Sequence, residues 1–142
     1  MKTFQTPLLS VTALCLLILA TAAGFNNPAR PVSDDFSVRE YNVFHDLLHP
    51  LEHEAVPAKD FQSIRTNAAE LVRRGEAIVR VGMPKTTAER YREDFRKELK
   101  KFKTALSKLK KDAKRGTDTQ LEASFSAVHD SFEMLAGMLP RK

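Results

Sequence analysis

The chain has 142 residues, a formal net charge of +5, four histidines, no tryptophan and a single cysteine. That length suits one domain with one core. One cysteine at position 15 excludes a disulfide framework and a thiolate metal site, and a mildly basic balance gives solubility and weak attraction to anionic surfaces without defining a partner.

The first residues read as an export signal. Met1 and Lys2 give a weakly positive start, Leu8 to Ala20 is apolar, and Ala20-Thr-Ala22 or Thr21-Ala-Ala23 offers small residues for cleavage. The apolar run is too short and too poorly flanked for a membrane span. Leu14, before Cys15, stands where a lipoprotein signal wants a small residue, which argues against lipid anchoring. The expectation is a signal peptide over 1–23, a lead-in over 24–35 and one domain over 36–142. The product is periplasmic or secreted, with no transmembrane segment. Removing Lys2 lowers the formal charge from +5 to about +4. Asn26, Asn27, Pro28, Pro31, Asp34 and Asp35 mark the lead-in as loop-like.

Four helical patterns follow. The first begins at Ser37 with Glu40 three residues on, a capping-box pattern, and repeats Tyr41, Phe44, Leu48, Leu51 and Ala55. Pro50 lies inside it and predicts a kink near Asp46 to His49. The second follows Pro57, carries Phe61, Ile64, Ala68, Leu71, Gly75 and Ile78, and ends at Gly82 and Pro84. The third starts near Thr86 or Thr87, with Glu89 completing a cap. It uses Tyr91, Phe95, Leu99, Phe102, Leu106 and Leu109, and closes at Gly116. The fourth pairs Thr117 with Gln120 and carries Leu121, Phe125, Val128, Phe132, Leu135 and Leu139 up to Pro140. The fold class predicted is all-α: an antiparallel up-down-up-down four-helix bundle with a kinked first helix. Gly75 and Gly137 are candidate points of close helix approach.

Three histidines, His45, His49 and His53, stand four residues apart on the first helix, and His129 lies on the last. Imidazole is the commonest side-chain metal ligand, and a spacing of four stacks side chains along one side of a helix. At about 100° per residue, His45 falls roughly 90° from the centre of the apolar stripe, His49 further round and His53 nearly opposite the core. His129 falls roughly 80° from the apolar centre of its own helix, with Glu133 on the same side. In an up-down-up-down bundle these flanks either face each other across the seam of the first and last helices or both face away from it. If they meet, His45 and His129 are ligands of a divalent transition metal (copper, zinc or nickel), with His49 next and Glu133 or His53 peripheral.

The layout resembles the cytochrome c′ superfamily of exported four-helix bundles with a histidine in the last helix. The most specific stretch is Phe125-Ser-Ala-Val-His129-Asp-Ser-Phe132. There the family carries a Cys-x-x-Cys-His haem-attachment motif whose histidine is the axial ligand. Phe125 and Val128 occupy the cysteine positions and only His129 matches, so the resemblance implies no covalent haem. What it implies instead is non-covalent haem b with electron transfer, held by His129 and His45, or a relative that lost haem and kept the fold.

The third helix is crowded with lysine and arginine, interleaved with Glu89, Glu93, Asp94, Glu98 and Asp112. This is the pattern of a solvated face with i,i+4 pairs, or of a docking face for an acidic protein. Export argues against nucleic acid. A second copy of the chain is a further candidate partner. No nucleophile elbow or phosphate loop is present, so the expectation is a non-enzymatic binding protein.

Overall fold

The computed structural model describes residues 36–140, all within one compact unit over Pro31–Lys142. The signal peptide over 1–23, the lead-in over 24–35 and Cys15 lie outside the described residues. The chain is all-α: four helices, with no β-strand among the described residues. They are α1 (Arg39–Pro50), α2 (Phe61–Val81), α3 (Arg92–Arg115) and α4 (Asp118–Gly137), with a π-helical turn at Leu51–Ala55 and a short 3-10 turn at Glu89–Tyr91.

Each helix packs on its neighbour in sequence, α1 on α2, α2 on α3 and α3 on α4. Aromatic rings join α1 to α4: the Phe44 and Phe132 centroids are 4.8 Å apart, and those of Tyr41 and Phe132 5.8 Å. Phe44 also meets Phe102 of α3 at 5.5 Å. The core is therefore built around Phe44, Phe102 and Phe132, all fully buried.

The apolar stripes of α1, α2 and α4 are buried much as their periodicity predicts, from Tyr41, Phe44 and Leu48 to Leu121, Phe125, Val128 and Phe132. The α3 stripe buries Phe95, Phe102, Leu106 and Leu109 as expected, but it is wider on one side than expected. Leu99 is only partly buried, while Glu98, Ala105 and Asp112 turn inward. Those carboxylates are tolerated because Lys101 reaches Glu98 at 3.0 Å and Lys108 reaches Asp112 at 2.8 Å.

The caps divide in the same way. Thr117 and Gln120 form the predicted capping box. The pair Ser37 and Glu40 does not: α1 is capped at Val38 without a side-chain bond, and the Ser37 hydroxyl is buried without a partner among the described residues. Thr87 is likewise buried rather than capping, and α3 starts only at Arg92, with Tyr91 as its cap residue. The α2 cap is Asp60, whose carboxylate accepts from the Ser63 N–H at 3.0 Å. Of the two candidate close approaches, only Gly75 is one. A Cβ there would stand 2.6 Å from a Leu106 methyl, whereas one on Gly137 would meet nothing within 4 Å.

One arginine ties three elements together. Arg65 of α2 donates to the carbonyls of Asp112, Ala113 and Gly116 at 2.9–3.1 Å, and to the Asp118 carboxylate at 2.8 Å. It thus satisfies the last carbonyls of α3 and holds the start of α4 beside them.

Candidate functional site

The site begins with a proline. Pro50 has no N–H to give to the ladder, and the helix continues past it by widening: the Val56 N–H bonds to the Leu51 carbonyl and the Asp60 N–H to that of Ala55, both five residues back. A turn that closes over five residues brings positions four apart closer to eclipsed than an α-helix does. His49 lies just before this turn and His53 within it. Their ring centroids are 4.3 Å apart, against 5.2 Å for His45 and His49 in the α-helical part. The three imidazoles thus form one continuous row.

Exposure grades along that row. His45 and His49 are half-buried and His53 is exposed. His45 is seated on an aromatic shelf, stacked over Phe132 of α4 at 6.1 Å and 25°, with the Phe36 ring edge-on at 5.7 Å. Phe36 is held by Asn42, whose carboxamide oxygen accepts from the Phe36 N–H at 2.8 Å while its nitrogen donates to the Phe36 carbonyl at 3.0 Å. Phe36 precedes the helix and sits outside its periodicity, so stripe counting does not reveal it. An asparagine one turn into an otherwise amphipathic helix is the only sequence trace of this clamp.

His129 is half-buried on α4, one turn before Phe132, and its Nδ1 lies 3.3 Å from the carboxylate of Asp130. Glu133 is exposed. Among the described residues, no three histidine, cysteine, aspartate or glutamate side chains are grouped so as to hold a metal ion. The row is therefore a series of imidazole pairs rather than a finished cage. Two imidazoles sharing a tetrahedral ion at 2.0–2.1 Å have ring centres about 5 Å apart. The observed 5.2 and 4.3 Å bracket that value. Each pair has the spacing to supply two ligands, leaving further positions to water or another side chain.

Between α1 and α4, Tyr41 and Phe44 each meet the Phe132 ring, and all three are fully buried. Burial pushes the Tyr41 phenol well above its ordinary pKa, and its hydroxyl has no partner among the described residues.

The basic face lies apart from this edge. Between Arg92 and Arg115, α3 carries eleven basic and four acidic side chains, more positive charge than the whole chain's net +5. Most of its ion pairs run along the same helix, such as Lys97 to Glu93 at 2.8 Å. No described helix is long and apolar enough to cross a membrane. No family model matches this chain, and neither a curated protein nor a solved structure matches it.

Proposed function

We propose that this is an exported, periplasmic or secreted, four-helix-bundle protein that reversibly binds a divalent transition metal such as copper, zinc or nickel. In this reading its helices run up-down-up-down and antiparallel, as in cytochrome c′-like proteins, and the first bends at Pro50. The ligands come from His45 and His49 on the first helix and His129 on the last, with His53 and Glu133 at the periphery. The observation that carries it is the row of imidazoles on α1, with ring centres 5.2 and 4.3 Å apart. The aromatic shelf of Phe36 and Phe132 supports it by restricting the His45 ring, which lowers the entropy cost of binding. Since the bundle has its own core, the metal is cargo or signal rather than a structural requirement.

Thermal denaturation with copper, zinc or nickel tests this. The melting temperature is expected to rise with at least one of them. His49→Ala should remove the rise and His129→Ala should weaken it. No stabilisation by any of the three overturns the proposal. So does a Soret band after haemin reconstitution that His129→Ala abolishes, which would favour haem instead.

A further inference from the structure

The groove between α3 and α4 is lined on one side by lysine and floored by small residues. Lys97, Lys100, Lys101 and Lys108 rim a cavity of about 460 Å³, and no carboxylate lines it. Its floor is Ala105 of α3 with Ala127 and Ser131 of α4. Met134 continues the α4 side of this floor, three residues beyond Ser131, and is 60% exposed. It is one of only two large hydrophobic side chains so exposed among the described residues, the other being Val81. We propose that this groove docks an acidic amphipathic helix of a partner protein, its apolar ridge resting on Ala127 and Met134 and its carboxylates on the lysine rim.

Three observations favour that occupant. Lys97, Lys101 and Lys108 follow one side of α3 over eleven residues, about 16 Å or three helical turns. Carboxylates three and four residues apart on a facing helix repeat at the same interval. The small floor lets a second helix approach closely, and an exposed methionine at its end is an adaptable apolar contact. The rim is also available. Lys97, Lys101 and Lys108 are 62%, 70% and 55% exposed, and each is held only by carboxylates of its own helix. The Lys97–Glu93 pair is exposed on both sides and weak enough for an incoming carboxylate to displace, while Lys101 and Lys108 keep their own partners and offer their remaining N–H donors to solvent.

The test is fluorescence anisotropy of the full chain with a labelled synthetic helix carrying glutamate at positions i, i+4, i+7 and i+11 and leucine on one flank. A peptide with glutamine in place of glutamate is the control. Binding of the acidic peptide alone is expected, weakening at least tenfold between 50 and 500 mM salt, because screening removes attraction between exposed charges. The variant K97E/K100E, which spares the lysines that neutralise Glu98 and Asp112, should weaken it at least tenfold, and Ala127→Arg, which obstructs an exposed floor position without touching a rim charge, should do the same. K110E/K111E/K114E, elsewhere on the helix, should leave it within twofold. Equal loss from both charge-reversal variants, no effect of Ala127→Arg, no preference for the acidic peptide, or binding to vesicles half phosphatidylglycerol in its place each overturns the proposal. None of these outcomes depends on metal.

Discussion

The outer edge of α1 and the outer face of α3 both carry a row of nitrogen bases at helical spacing, yet they are built differently. On α1 the row rests on tertiary structure. His45 stacks on Phe132 of another helix, Phe36 closes over it, and Asn42 clamps Phe36. On α3 the lysines are held by carboxylates of their own helix, one turn away. The first row is positioned by another helix; the second is a solvated rim of ammonium groups anchored within its own helix. Metal chelation needs fixed geometry, and docking of a charged helix needs exposed charge, so the two surfaces suit different partners.

Removing the support of the α1 edge is the most damaging way to break that contrast. Phe132→Ala deletes the ring shared by Phe36, Tyr41, Phe44 and His45, and should cost about 3–5 kcal/mol in denaturant unfolding. Lys100→Ala on the α3 rim should leave the unfolding midpoint unchanged; a large loss there would erase the distinction. Next in size is Arg65→Ala. It frees the last carbonyls of α3 and should cost about 2 kcal/mol, with earlier amide exchange at the α3–α4 turn. Gly75→Ala gains helix propensity but forces a methyl into Leu106, and should lose about 1 kcal/mol net.

A smaller effect separates local ion pairs from the core. The Arg73 and Arg74 guanidiniums hold the Glu70 carboxyl down to about 2, below its ordinary 4.5. The folded state therefore favours the anion. Its contribution is full above about pH 4.5 and is lost as pH falls toward 2. Acid unfolding of Glu70→Gln should accordingly be flatter across that window. Smallest of all, Tyr41→Phe removes a buried hydroxyl that has no partner, and should be neutral or slightly stabilising in the same unfolding assay. A clear loss would mean that the hydroxyl is bonded and that the aromatic seam is more polar than it looks.

Much of this was legible along the chain because it is local. The apolar stripes of α1, α2 and α4, the Thr117–Gln120 box and the stop at Gly82 all depend on residues within one or two turns. So does the adjacency of His45, His49 and His53, which needs only helical spacing. The burial of Glu98 and Asp112 beside the expected stripe was hidden, because the orientation of α3 is set by how Phe95, Phe102 and Leu109 meet the other helices. The π-turn was half legible: Pro50 announced a disturbed ladder, but whether that ladder breaks off or widens depends on what Leu51 and Ala55 must reach in the core.

By itself, then, the sequence determined an all-α chain, its buried stripes and the four-residue spacing of His45, His49 and His53 on its first helix, since periodicity is a property of a single helix. Only the tertiary structure decided that His45 rests between Phe36 and Phe132, that Arg65 seals the end of α3, and that a lysine-rimmed groove lies between α3 and α4. Those features join residues tens of positions apart, and their geometry follows from how the helices pack together rather than from the pattern within any one of them.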